Sequence, residues 1–330
     1  MRISRTFFFL VITFSLSVSS CSSNLTPTPG QNQTLTQTLP SPSSATPAET
    51  SAIDTIRGSL RNQIRNLEDK MPRADSEGFI IPNDQEQTAF ADLVSSLEAE
   101  DLRKSAQLAA ENYYTLNYYV DRGDGNALSY LLRETKPIQK GWGLYAFRAD
   151  STSNIIVEAP HPLYDRRTPS VALDIYRALD ARALLIAGAH RSANSDGSAD
   201  MAHVTESIFQ SVHVALSQEM QAASEDVIIL QIHGFHTSKH AGYPQAVFGF
   251  GAKIQPMEFA LAQKLEDALA EQGIINVGLC TGDVWQDLCG TTNAQASITS
   301  GVVFIHIELD ERMRRNDDAL IAALIQVFGK

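Results

Sequence analysis

No histidine occurs before His161 in this chain of 330 residues, and all eight fall between His161 and His306. Chemistry that needs imidazole therefore belongs to the second half. Basic residues are scarce, 26 against 38 acidic ones, for a net charge of −12. An acidic chain argues against nucleic acid as a partner and against adhesion to anionic lipid. There is no Gly-x-Ser-x-Gly nucleophile elbow, no phosphate-binding P-loop and no dinucleotide glycine fingerprint, which sets aside the nucleotide-binding and α/β-hydrolase classes those motifs mark. No internal repeat is found. Apart from Phe7 to Val18, no apolar run could be read as a membrane element, and that run is too short to span a bilayer comfortably.

The run from Phe7 follows Arg2 and Arg5 and reads as the h-region of a secretory leader over 1–20. It ends in Val18-Ser19-Ser20-Cys21, which resembles the lipobox of bacterial lipoproteins, with Cys21 lipidated and becoming the new N-terminus. Ser22, rather than Asp, resembles the outer-membrane version. The expectation is a chain anchored to the membrane through an N-terminal lipid only, facing the periplasm. Residues 21–52 are rich in Ser, Thr and Pro, and from Ser22 to Thr50 Glu49 is the one charge, with no aromatic residue. Such a segment cannot bury enough apolar surface to order itself and reads as a tether. The remaining stretch of about 280 residues suffices for one large domain with a helical preface.

Beyond Cys21 only two cysteines occur, Cys280 and Cys289. No residues with zinc-type spacing flank them, so in an oxidising compartment they are expected to form one disulfide closing a small loop.

Residues 53–140 read as helical: a 3.6-residue apolar period through Ile53, Ile56, Leu60, Ile64 and Leu67, then a second helix from Asn83 to about Val120. The aromatic run Asn112 to Tyr119 is taken as packing for those helices, and Asp121 to Gly125 as a turn. From 141 the pattern alternates. Strands are expected at 142–148, 154–159, 183–187, 227–233, 274–279 and 302–309, and helices at 168–181, 200–222, 256–272 and 316–327. That order predicts an α/β domain over 141–330, with a mixed, mostly parallel sheet covered by helices on both faces.

Several strands terminate in groups that can hold a cation or move a proton. His161 and Asp165 follow the strand at 154–159, four residues apart, a spacing that puts both side chains on one side of a turn. His233 ends another strand, and Gly234 after it is read as letting the backbone turn away. Two imidazoles and a carboxylate with an open fourth position form a hydrolytic zinc site, so one Zn²⁺ per chain is expected on His161, Asp165 and His233. In Phe304-Ile-His-Ile-Glu308-Leu309, Phe304, His306 and Glu308 share one face. A carboxylate on so apolar a strand needs a reason. Either it pairs with Arg312 or Arg314, or it is a general base, and the second reading is preferred.

The order His–carboxylate, Arg, strand-ending His and strand-borne Glu resembles the zinc carboxypeptidase superfamily, with its phosphorylase/hydrolase-like fold. Within it the motif order is most similar to N-formylglutamate amidohydrolases and poly-γ-glutamate hydrolases, over roughly 150–330. The resemblance implies metal ligands at His161, Asp165 and His233, a general base at Glu308 and a substrate-carboxylate clamp at Arg191, whose planar fork suits a carboxylate. This chain departs from the pattern: the acidic ligand is Asp rather than Glu, its spacing from the first His is longer, and Arg191 follows His190 rather than Asn. The expected function is membrane-tethered, zinc-dependent hydrolysis of an amide bond in a peptide, γ-glutamyl chain or cell-wall fragment. A non-catalytic lipoprotein that keeps the fold and binds a ligand is the alternative.

Other polar groups compete for places. Asn194, His236 and Asn293 are candidate substrate contacts, with Asn293 and Gln295 alternatively turn formers. His190, Asp200 and His203 could form an outer shell or supply a ligand, or Asp200 could simply stabilise a helix N-terminus. His213 reads as structural.

Overall fold

A computed structural model describes residues 53–135, 140–223, 226–281, 284–298 and 301–329. The leader, Cys21 and the tether lie outside the described residues. Among the described residues ten strands form one sheet: β1 (Thr55–Gly58), β2 (Tyr114–Asp121), β3 (Ala127–Glu134), β4 (Leu144–Arg148), β5 (Ile155–Ala159), β6 (Ala183–Ile186), β7 (Ile228–Gly234), β8 (Ala246–Gly249), β9 (Val277–Leu279) and β10 (Val303–Leu309). Their order is β1-β2-β3-β4-β6-β5-β7-β10-β8-β9. The four central strands, β6, β5, β7 and β10, run parallel, and antiparallel pairs join them to β4 on one side and β8 on the other. The sheet is mixed, with a parallel centre, as expected.

Helices cover both faces. One face packs beneath α1 (Leu60–Glu68), α4 (Thr168–Ala178), α6 (Pro256–Glu271) and α8 (Asp318–Phe328). The other packs beneath α2 (Asp84–Glu98), α3 (Leu102–Glu111) and α5 (Ile208–Ala222), with the short α7 (Ala294–Ile298) nearby. Among the described residues no helix is long and apolar enough to cross a membrane.

The strand alternation sorts chemistry by face. Ile155, Val157 and Ala159 of β5, Leu230 and Ile232 of β7, and Ile305, Ile307 and Leu309 of β10 all join the first core. Their neighbours Ile156, Ile229 and Phe304 join the second. A period of two then puts Glu158, Gln231, His233, His306 and Glu308 on the α5 side of the sheet. The register lines them up: Glu158 pairs with Gln231 and Gln231 with His306 across three parallel strands, and His233 pairs with Glu308 one step further on.

The region read as wholly helical does contain α1, α2 and α3, and α2 starts at a capping box in which Asn83 and Glu86 each accept from the other's backbone N–H, both at 2.9 Å. Yet it also contributes β1, β2 and β3 to the same sheet. The tyrosine run is strand rather than helix end: Tyr114 and Leu116 face one core and Tyr119 the other. Aromatic side chains favour a pleated surface they can pack against, and the Asp121–Gly125 turn folds β2 back onto β3. The first strand expected, at 142–148, is therefore the fourth. The helix expected from Asp200 begins at Ile208, capped by the Ser207 hydroxyl, which accepts from Gln210 N–H at 3.1 Å. Residues 200–207 form a loop.

Candidate active site

Just past β5 the backbone makes a single turn in which Asp165 N–H donates to His161 C=O at 2.9 Å. This brings the two side chains together, with His161 Nδ1 3.3 Å from Asp165 Oδ2. The same oxygen lies 3.2 Å from Nδ1 of His233, the penultimate residue of β7. All three residues are buried, and their ligand-type atoms lie within 4.8 Å of one another.

Each imidazole is held from behind. His161 Nε2 donates to Asp200 Oδ1 at 2.7 Å, and His203 Nδ1 bonds the same oxygen at 3.0 Å. His233 Nε2 bonds Gln231 Oε1 at 2.8 Å. With the ε nitrogens occupied, both δ nitrogens face Asp165. Among the described residues, buried His161 Nδ1 has no hydrogen-bond partner. Two imidazole nitrogens and one carboxylate oxygen converging on a point fit the donor set of a zinc ion.

Electrostatics follow from burial and neighbours. Burial draws the His161 pKa down, but the Asp165 and Asp200 carboxylates outweigh it and hold it above the ordinary value. Burial, with His306 alongside, keeps His233 well below its ordinary value and hence neutral. Asp165 is buried too, yet the His161 imidazole beside it holds its pKa well below the usual carboxylate range.

Among the described residues Glu308 has no arginine partner: its Oε1 lies 3.4 Å from His306 Nε2, and its buried Oε2 has no hydrogen-bond partner. Burial raises its pKa. Arg314 is buried nearby, but its Nη2 donates to Phe235 C=O at 3.2 Å. The His306 ring packs against His233, centroids 4.2 Å apart and planes tilted by 32°, and is covered by Gly290, where a Cβ would come within 2.9 Å of it.

A cleft of about 290 Å³ opens over these groups, lined by His161, Arg191, His203, His233, His306 and Glu308, with Gln286, Asp287, Thr291, Thr292 and Asn293 forming the far wall. That wall is closed by the disulfide between Cys280 and Cys289. Arg191 lies at the cleft, one end of its guanidinium on Asp200 Oδ2 and its plane 5.2 Å from the Tyr164 ring.

Two candidates stand elsewhere. Asn194 is a staple: its amide accepts from Phe79 N–H at 3.2 Å and donates to Phe79 C=O and Ser198 Oγ, both at 2.9 Å, so its polar atoms are spent on structure rather than substrate. His236 is exposed and bonds Glu311 at 2.6 Å, away from the cleft lining. Asn293 reaches the cleft, but it donates to Gln231 Oε1 at 2.5 Å and accepts from Ala296 N–H at 3.1 Å. Asp200 and His203 take the outer-shell place. With no helix starting at Asp200, the dipole reading falls away. His190 Nδ1 accepts from Ser192 N–H at 3.1 Å, and buried His213 bonds Glu158 at 2.6 Å. Sequence reading passed over Glu158 and Gln231. The available signal is a carboxylate inside the otherwise apolar β5 and an amide two residues before His233 in β7, which buried backbone neighbours cannot satisfy.

No family model matches the chain, and no curated protein does. Among solved structures it is similar to the N-formylglutamate amidohydrolase from Ralstonia eutropha, at 13% identity over 55% of this chain and 95% of that one, with a TM-score of 0.36. It is similar to a bacteriophage poly-γ-glutamate hydrolase at 15% identity, over 56% and 85% of the two chains, TM-score 0.37. A metallo-carboxypeptidase from Pseudomonas aeruginosa matches at 14%, over 67% and 68%, TM-score 0.35. At such distances the likeness carries no argument about chemistry.

Proposed function

We propose that this chain is a zinc-dependent hydrolase of amide bonds in polar, carboxylate-bearing substrates such as peptides, γ-glutamyl chains or cell-wall fragments. The observation that carries the reading is the convergence of His161 Nδ1, Asp165 Oδ2 and His233 Nδ1 on one point, beside a general-base candidate with an unpartnered oxygen. When bound, zinc supplies a Lewis acid and acidifies water toward neutral pH.

The chain's own residues supply the rest. Glu308, its pKa raised by burial, takes a proton at Oε2 from the attacking water and returns it to the leaving amine. A carboxylate tuned upward is better matched to that two-way transfer near neutral pH. His306 steadies the other oxygen. Arg191, with one end on Asp200, has further donors for a substrate carboxylate. Amide and hydroxyl groups from Gln286, Thr291 and Thr292 line the cleft where a hydrophobic specificity pocket would need apolar side chains, which favours a polar substrate.

The test is metal content by elemental mass spectrometry, beside hydrolysis of γ-glutamyl and cell-wall peptides. About one zinc per chain, lost in His161→Ala and His233→Ala, is expected. Glu308→Gln should keep the metal and lose hydrolysis. Folded protein that takes up no zinc on reconstitution would overturn the reading.

We further propose that Cys21 carries lipid and tethers the domain in the periplasm. An intramolecular disulfide, as between Cys280 and Cys289, is consistent with an oxidising compartment. Retention of membrane association by Cys21→Ala would remove the anchor.

A further inference from the structure

Beneath the cleft lies a buried polar chain that the proposed chemistry does not use directly. Gln231, on β7, sits at its centre. Its Oε1 faces His233 Nε2 at 2.8 Å and Asn293 Nδ2 at 2.5 Å. Its Nε2 faces Glu158 Oε2 at 2.8 Å and Gln295 Oε1 at 3.1 Å. An amide can be turned over without changing its shape, so what matters is whether its partners allow the turn.

Two anchors forbid it, each ending on a backbone group whose role is fixed, and the Glu158 carboxyl beside them takes the Gln231 NH₂. Asn293 Oδ1 accepts from the backbone N–H of Ala296, which can only donate, so its Nδ2 points at Gln231 and needs an oxygen there. Gln295 Nε2 donates to the backbone carbonyl of Met201 at 2.9 Å, which can only accept, so its Oε1 needs an NH₂. Strand register supports the placement, with Glu158 opposite Gln231 on adjacent parallel strands.

The consequence passes to the imidazole. A neutral ring has one N–H and one lone pair. With Gln231 Oε1 fixed behind His233, a proton on Nδ1 would leave the Nε2 lone pair facing an oxygen at 2.8 Å. A proton on Nε2 makes that contact a hydrogen bond. It leaves the bare Nδ1 3.2 Å from Asp165 Oδ2, a pair of acceptors that a cation would bridge. We propose that Gln231 is a positioning residue: clamped by Glu158, Asn293 and Gln295, it holds the proton of His233 on Nε2 and presents the Nδ1 lone pair to the metal. This rests on the reading of His161, Asp165 and His233 as a zinc site, but it concerns a property of the metal-free chain. Outer partners of this kind set ligand tautomer and basicity, and losing one costs about 10- to 100-fold in metal affinity.

The experiment reads histidine tautomers in the ¹⁵N-labelled, metal-free protein by long-range ¹H–¹⁵N spectra, with His233→Ala for assignment. Wild type should show His233 protonated at Nε2. Gln231→Met fills the same space without an acceptor, so the proton should move to Nδ1, where Asp165 accepts it. Zinc affinity, measured by competition with a chromophoric chelator, should fall about 10- to 100-fold. Wild-type His233 protonated at Nδ1 would overturn the inference without any variant having to fold, and so would an unmoved tautomer in Gln231→Met. Failure of the wild-type protein to bind zinc would instead sink the hydrolase reading, a separate result.

Discussion

Arg314 lies across the backbone of Gly234: a Cβ at that glycine would sit 1.5 Å from Arg314 Nη1 and 2.5 Å from its Cζ. Gly234 is the last residue of β7 and is not among the residues with positive φ, so its value is not the sharp turn expected from sequence but the room it leaves for a buried guanidinium. Arg314 is held in turn, since its Nη2 donates to Phe235 C=O and its own carbonyl accepts from Arg167 Nε at 2.7 Å. Gly234→Ala should therefore destabilise the protein by about 1–3 kcal/mol, the usual cost of overpacking, read from urea denaturation. Unchanged stability would mean that Arg314 swings aside freely.

Asp200 makes stability depend on pH. Burial works against its ionised form, but the bonds from His161 and His203 and the charge of Arg191 prevail and hold its pKa below the ordinary 3.8. The unfolded chain therefore binds this proton first. The contribution is complete above the unfolded value and is lost as pH falls through the folded one. The Tm of metal-free protein should drop from about pH 4 downward, and Asp200→Asn should be less stable at neutral pH with a shallower acid limb. Parallel curves for the two proteins would count against Asp200 as the linked group.

The disulfide closes a loop with a sequence separation of 9 between Cys280 and Cys289, and that loop carries Gln286 and Asp287 into the cleft wall. Loop-closure entropy for so short a loop is on the order of 2–3 kcal/mol. Replacing both cysteines by serine should lower stability by about that much. If the wall contacts substrate rather than the reacting atoms, KM should rise more than kcat falls.

Arg191 keeps its charge but loses its planar fork in Arg191→Lys. If it binds a substrate carboxylate, the loss should be about 1.5–3 kcal/mol, roughly ten- to a hundredfold in KM, for carboxylate-bearing substrates. Substrates whose carboxylate is amidated should show little difference between the two proteins. An equal effect on both would assign Arg191 to holding Asp200 instead.

Much of the candidate site was legible in the linear pattern because strand chemistry is local. Apolar runs ending at His161, His233 and Glu308 declare both a buried strand and a polar terminus, and the period of two says which residues share a face. The alternation of strands and helices after residue 141 likewise implied a parallel centre with two covered faces, and the spacing of Cys280 and Cys289 implied their bond. The N-terminal reading went astray where two periodicities compete. Tyr114 to Tyr119 follows closely on α3, and only the arrival of β1 and β3 alongside gives those tyrosines a sheet to pack on.

Sequence alone singled out the strand-end candidates, since the identity of such a side chain and the face it takes need nothing beyond its neighbours. Tertiary structure decided who stands behind them. Asp200 reaches His161 across 39 positions, and Asn293 reaches Gln231 across 62. Asn194 is drawn to Phe79 across 115 positions instead of to the cleft. Those pairings depend on register between strands and on the path of loops such as 200–207. The interactions that set them are long-range packing and buried hydrogen-bond demand, which a linear pattern can raise as a need but cannot assign to a partner.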